Sequence, residues 1–206
     1  ARALQAQDAE IAMAAAPEDE TLMQRRLRQL AGPDLCRAWA EIEAPVIAAV
    51  EGYCVGGACA LALACDFRVM GEGAMMRLPE IALGMNMSWG TIPRLNALVG
   101  PARAKRMLID AEPVGARACL DWGLADGIAE DGAALAFARD WAARIAARPP
   151  LAVRMAKAGV DAHAQALSAA TSAMDRDQFL LTLGSRDLAE GVAAFIEKRE
   201  PDFRGD

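Results

Sequence analysis

Gly56 and Gly57 stand between a short run ending at Val55 and an apolar run that continues to about Cys65. A strand feeding Gly-Gly into a helix start leaves the first amide N–H groups without an acceptor in their own helix, beside the positive end of its dipole. Glycine lets a ligand come close to the main chain. Such a turn can hold an anion, either a phosphate or the oxyanion that develops on a reacting carbonyl. It can equally serve packing, as in many strand-to-helix turns. Cys59 lies two residues into the same helix, where a thiol pKa can fall; a packing role is the better reading.

Other chemistries fail on residue counts. His163 is the only histidine, and the cysteines at 36, 54, 59, 65 and 119 form no CxxC pair, so no metal site is expected. Ser88 lacks a GxSxG setting because Gly84 is too far upstream, and a serine triad would depend on His163. Gly71-Glu72-Gly73 lacks the third glycine of a dinucleotide fingerprint, and no phosphate-binding Walker loop is present.

The elements that must position the glycine turn are legible in the patterning. Pro45 to Val50 is apolar and β-branched and reads as a buried strand that Glu51-Gly52 ends. Phe67 to Met70 reads as a second strand. Strand, glycine turn, helix, strand is a βαβ unit with parallel pairing. Met75 to Leu78 is expected to be extended, 84–90 irregular, and 91–98, 101–110 and 115–122 helical, with one more strand within 124–129. The first forty-odd residues read as helix, broken at Gly32-Pro33-Asp34 with Asp34 as an N-cap. From Ala133 to Lys198 the chain reads as almost wholly helical, punctuated at Pro149-Pro150, Gly159 and Gly184-Ser185.

With 206 residues, 54% of them hydrophobic, and a net charge of −6, the chain suits one α/β domain with a helical appendage. The acidic balance argues against a broad grip on nucleic acid. The longest uncharged run, Gly52 to Cys65, is too short to span a membrane. No secretory pattern is present, and the odd cysteine count suggests reduced core thiols, so cytoplasmic residence is expected.

Four ordered motifs carry a resemblance. The run APVIAAVEGYCVGGACALALACDFRVMGEGA is similar to the core xPVIAAVxGxxxGGGxxLxxxCDxxxA of the enoyl-CoA hydratase/isomerase (crotonase) family. LPEIALGM resembles its xxPExxxG segment, RLNALVGPARAKRMLIDAEPVGARACLDWGLAD its following helices, and SRDLAEGVAAFIEKREPDFRG its closing motif. The resemblance covers about residues 38–205. It implies a crotonase (ClpP/crotonase-like) spiral of ββα units over 1–130 and a helical C-terminal trimerisation region over 131–206, assembled as a homotrimer or a dimer of trimers. It also implies an acyl-CoA thioester substrate, with coenzyme A as part of that substrate and no separate cofactor. The thioester carbonyl would sit in a hole of two backbone N–H donors, and the enolate beside it would be stabilised. One donor falls on Gly57, with Gly56 beside it.

Family hydratases flank a bound water with two glutamates. The second maps onto Glu80; the first maps onto Ala60, which can neither accept a proton nor hold a water. Adding water across C2=C3 loses its second anchor without that carboxylate. Moving a double bond needs only one base, which takes a proton from C2 and returns it at C4, so isomerisation is favoured over hydration. Glu80 would need a raised pKa, which burial among Leu78, Ile81 and Leu83 could supply. Asp66, in the family's Cys-Asp pair, reads as structural, and Glu51 and Glu72 as turn acids.

The stretch GMNMSWGTIPRL departs from the family's GxxPxxGGTxxL: Met87 replaces the proline, Ser88 a glycine and Thr91 the second of two glycines, while Trp89 adds bulk. A reshaped acyl pocket is expected, with Asn86, Ser88 and Trp89 as candidate substrate contacts and Lys198 as a candidate for the coenzyme A phosphates. ARALQAQDAEIAMAAAPEDE matches nothing in the family's first spiral turns or its xFxAGxD segment, which donates the second oxyanion N–H. Either these parts lie upstream of residue 1, which is the favoured expectation, or the chain is a truncated paralogue. Three functions remain: an isomerase or related enolate-forming enzyme, a hydratase with a rearranged water site, and a catalytically impaired acyl-CoA binder or scaffold.

Overall fold

The computed structural model describes residues 19–166 and 168–206. Two short sheets carry the core. Strand β1 (Ile47–Val50) lies parallel to β3 (Phe67–Gly71), and β3 parallel to β6 (Gly127–Ala129), in the order β1-β3-β6. Strand β2 (Tyr53–Val55) lies parallel to β4 (Met75–Arg77), which pairs antiparallel with the two-residue β5 (Val114–Gly115). The chain turns the corner between sheets at Gly52, whose φ of +62° suits glycine. The sequence pattern ends the strand there and does not show β2, because three residues alternating exposed, buried and half-buried carry little periodic signal. Two strands in different sheets followed by a helix, repeated, build the expected ββα spiral.

Helix α3 (Gly57–Ala64) crosses between β2 and β3 and buries five of its eight residues, Cys59, Ala60, Ala62, Leu63 and Ala64. All five cysteines are free and buried. At the end of this helix Ala62 O accepts from Cys65 N–H at 3.3 Å, and Arg68 supplies further donors. Its side chain is 1% exposed and donates from Nη1 to Cys65 O at 2.8 Å and Ala62 O at 3.4 Å, and from Nε to Leu124 O at 2.7 Å. Asp126 pairs with its Nη2 at 3.2 Å. Asp66 takes the structural part expected of it, accepting from Val46 N–H at 2.6 Å and Lys157 Nζ at 2.7 Å.

Helices α1 (Leu22–Arg28) and α2 (Ala31–Ala40) precede the first strand; the earlier part of the expected N-terminal helix lies outside the described residues. The break between them falls at Gln29-Leu30, and Gly32-Pro33-Asp34 lies inside the first turn of α2. Proline is tolerated there because its missing N–H has no intrahelical partner to lose. Asp34 is no N-cap; its carboxylate accepts from Arg37 at 3.0 Å. The capping box sits at Thr21 and Gln24 instead.

After β4 a 3-10 turn (Glu80–Leu83) leads through the irregular 84–90 into α4 (Thr91–Lys105), which is broken at Gly100 and runs into a π-helical turn, Arg106–Asp110. Helix α5 (Ala116–Trp122) comes next, and α6 (Ala134–Ala146) packs Ala134 and Ala138 on Val69, with Trp141 stacked 4.7 Å from Phe67. Glu51 accepts the first amide of α6, Ala134 N–H, at 2.9 Å. The remainder is helical: α7 (Pro150–Gln165), α8 (Ser168–Leu183) and α9 (Arg186–Glu197). Gly159 does not punctuate; it lies within α7, where a glycine costs about 1 kcal/mol against alanine without ending the helix. No helix among the described residues is long and apolar enough to cross a membrane.

Candidate active site

Parallel pairing of β2 with β4 sets Tyr53 opposite Met75 and Val55 opposite Arg77, so both strands end on the same side. The bond from Gly56 N–H to Arg77 O at 3.0 Å carries the pairing one residue further. The glycine turn at the end of β2 is therefore held beside Leu78-Pro79-Glu80 at the end of β4.

Gly56 has φ 58° and ψ −121°, a conformation that side chains other than glycine's hydrogen resist. It turns the chain so that α3 starts at Gly57. The first bond of that helix runs from Ala60 N–H to Gly56 O at 3.0 Å. The amides of Gly57, Ala58 and Cys59 therefore have no acceptor in their own helix. Glu80 opens the 3-10 turn, and its Oε1 would lie 3.0 Å from a Cβ placed on Gly56. A carboxylate and a helix N-terminus thus meet across one main-chain turn. Together they can polarise a carbonyl oxygen and move a proton on an atom beside it. Among the described residues no cluster of three or more His, Cys, Asp or Glu is placed to hold a metal.

Of the residues expected to bury Glu80, Leu78 is 1% exposed, Leu83 half-buried and Ile81 44% exposed. Ile81 is thus the most exposed of the three, on the 3-10 turn itself. Ala60 is fully buried in the apolar core. Cys59 is inert by environment: the hydrogen bond with Cys54 and complete burial push its thiol well above the usual range. Burial likewise pushes Cys119 up to about 12.

Trp89 lies over the glycine helix. A Cβ on Gly57 would meet its Cζ3 at 2.7 Å and Cη2 at 2.8 Å, and one on Gly32 its Cε2 at 2.0 Å. The indole is thus wedged between α2 and the start of α3, where only glycines admit it. Its backbone is left-handed, φ 63°, and Gly90 follows at 66°. Arg94 holds the two carbonyls, its Nη1 3.1 Å from Trp89 O and 3.2 Å from Gly90 O.

Asn86 and Ser88 turn toward α8. Asn86 N–H donates to Thr182 Oγ1 at 3.0 Å and its amide to Gln178 at 3.3 Å; Ser88 Oγ donates to Asp175 at 3.2 Å. Lys198 is exposed at the left-handed end of α9. Its neighbour Arg199 helps line a cavity of 180 Å³ with Pro79, Leu83, Gly191 and Phe195, behind the Glu80 turn.

Sequence reasoning misses the supports of the site. Helix α9 packs main chain to main chain on the Glu80 turn. A Cβ on Gly191 would meet Leu83 C at 2.8 Å, and one on Gly84 would meet Asp187 C at 2.7 Å. Asp175 escapes it as well. It shares a stripe of α8 with Phe179 and Leu183, which pack on an apolar cluster, and a carboxylate on such a stripe is the available signal.

A family model described as enoyl-CoA hydratase/isomerase matches residues 12–206. The chain is 37% identical over 170 residues to 2,3-dehydroadipyl-CoA hydratase of Escherichia coli, covering 81% of this chain and 67% of that protein. It is 36% identical over 172 residues to crotonyl-CoA hydratase of Syntrophomonas wolfei, covering 84% and 66%. The chain thus spans about two thirds of the length of these relatives. The crystal structure of an enoyl-CoA hydratase from Mycobacterium avium subsp. paratuberculosis superposes with a TM-score of 0.80 at 29% identity, covering 85% of this chain and 71% of that one.

Proposed function

The chain belongs to the enoyl-CoA hydratase/isomerase family, and on that premise we propose that it forms a thioester enolate from an acyl-CoA substrate and moves a double bond with Glu80 as its one acid–base group. The observation that supports the reading is the closeness of Glu80 to the Gly56-Gly57 turn, together with the full burial of Ala60, the residue onto which the family resemblance maps the other carboxylate. In this scheme Gly57 N–H donates to the thioester carbonyl oxygen. Glu80 takes a proton from C2 of a 3-enoyl-CoA, negative charge collects on the carbonyl oxygen, and the same carboxyl returns the proton at C4. The C3=C4 bond becomes C2=C3, with atoms and charge conserved. Loss of one donor at such an oxyanion typically costs about 2.7–4 kcal/mol. Coenzyme A belongs to the substrate, and no separate cofactor enters.

The names of the two relatives favour a second reading, hydration of a 2-enoyl-CoA by Glu80 and a rearranged water. One experiment separates them: purified full-length protein is supplied with 3-enoyl-CoA and, separately, 2-enoyl-CoA. Conversion of the first to the second supports isomerisation. Formation of 3-hydroxyacyl-CoA alone sinks it in favour of hydration, and binding of both without turnover leaves an acyl-CoA binder.

Trimeric assembly belongs to the same proposal. Leu151, Met155 and Val160 of α7 are 69%, 61% and 67% exposed, and Leu181 of α8 is 77% exposed, as faces that meet other subunits would be. Light scattering of the full-length protein at monomer mass would overturn it. Five buried free thiols fit a reducing, cytoplasmic setting.

A further inference from the structure

Segment 86–90 touches the site through Trp89, yet its conformation is fixed from elsewhere. Asp175, Gln178 and Thr182 are spaced i, i+3 and i+7 on α8, one face of a helix. All three bond to the segment. Thr182 Oγ1 accepts Asn86 N–H at 3.0 Å and Gln178 Oε1 accepts the Asn86 amide at 3.3 Å. Asp175 Oδ2 accepts both the Ser88 hydroxyl at 3.2 Å and Gly90 N–H at 2.9 Å. Trp89 lies between the two residues Asp175 grips, in a left-handed conformation that a bulky residue adopts only under constraint.

We propose that Asp175 is a positioning residue: by holding Ser88 and Gly90 it keeps the Trp89 indole against Gly57 and so shapes the face on which the acyl group lies, an assignment that rests on the enolate-forming reading above. Asp175 is only 7% exposed, and burial raises its pKa against the lowering by Gly90 N–H, Ser88 and Arg94. A buried carboxylate is costly to keep unless it is used. Mere helix packing would be served better by an apolar residue on this stripe beside Phe179 and Leu183. The carboxylate instead supplies one oxygen to two donors flanking the strained residue.

The test uses full-length protein labelled with 5-fluorotryptophan, with the Trp89 resonance assigned by Trp89→Phe. Asp175→Ala should move that resonance and lower kcat about 10²-fold, the scale of a 1 Å misplacement, with KM changed by less than about threefold. Asp175→Asn retains an acceptor oxygen and should restore both the resonance and most of kcat. Ser88→Ala removes one of the two bonds and should fall between, which keeps the test open if Asp175→Ala does not fold. An unmoved resonance in folded Asp175→Ala, or an Asn variant as impaired as the Ala variant, would overturn the assignment. A wild-type protein inert toward every enoyl-CoA would remove the catalytic reading, while the resonance would still report whether Asp175 places Trp89.

Discussion

Helices α3 and α8 reach the 86–90 segment in opposite ways. Helix α3 has the sequence GACALALA and meets Trp89 through the bare main chain of Gly57. Helix α8 contacts the same segment with Asp175, Gln178 and Thr182, through four hydrogen bonds. The first is built by apolar packing and offers main-chain amides at one end. The second offers side-chain acceptors. The contrast separates two tasks: main-chain donors at a helix start can present polarity to a ligand, while satisfied side-chain bonds fix geometry. It also implies that α3 should accept little change at Gly57, where the Trp89 ring presses directly on the glycine.

The division can be broken first at Glu80. If the glycine turn and its carboxylate own the chemistry, Glu80→Gln should lower kcat by about 10²–10⁴-fold with thermal stability little changed. An active Glu80→Gln protein would move the chemistry elsewhere. Next, Arg68 gives α3 its polar support at the far end. Arg68→Ala should cost about 3–5 kcal/mol in urea denaturation, because the carbonyls of Cys65 and Leu124 and the Asp126 carboxylate lose their buried partner. A loss below about 1 kcal/mol would show that packing alone holds the helix.

Gly57→Ala should cost about 1–3 kcal/mol, since the new methyl meets the Trp89 ring at 2.7 Å. The double change with Trp89→Ala should recover much of it, and additivity would mean the two do not touch. The smallest effect belongs to the C-terminal side. The Arg199 guanidinium, bonded to Glu190 at 2.8 Å, holds that carboxyl at about 2. A depressed carboxyl stabilises the fold above its unfolded value of about 4.3 and loses that contribution as pH falls through about 2. Stability of wild type and Glu190→Gln should therefore differ at neutral pH and converge in acid, by an amount kept small by exposure.

Strands β1, β3 and β4, helix α3 and the helices around Gly100 are legible in the sequence because local pattern and local structure agree. Motif order carries the pairing of Gly57 with Glu80, but the reason lies in a contact no local pattern shows, the β2–β4 pair. The helix break near residue 30 is misplaced by sequence reasoning because proline and glycine punctuate helix interiors and fit first turns, and Gly32 serves the Trp89 ring besides. Arg68 reads as a strand residue; its use emerges only when Leu124 and Asp126 arrive from 56 and 58 residues away. Asp175 is invisible for the same reason, its partners lying 85 and 87 residues upstream.

The parallel register of β2 and β4 also constrains how the chain length can vary. Each strand is three residues long, and a single inserted residue in either would shift the adjoining turn by about 3.3 Å and reverse its side chains. Glu80 would then leave Gly56 even with every residue of the site intact. Length can change more freely at the exposed Glu72, in the turn between β3 and β4, where an added residue leaves both ladders in register. The distance along the chain from glycine turn to acid is thus elastic at one place and fixed everywhere the strands run.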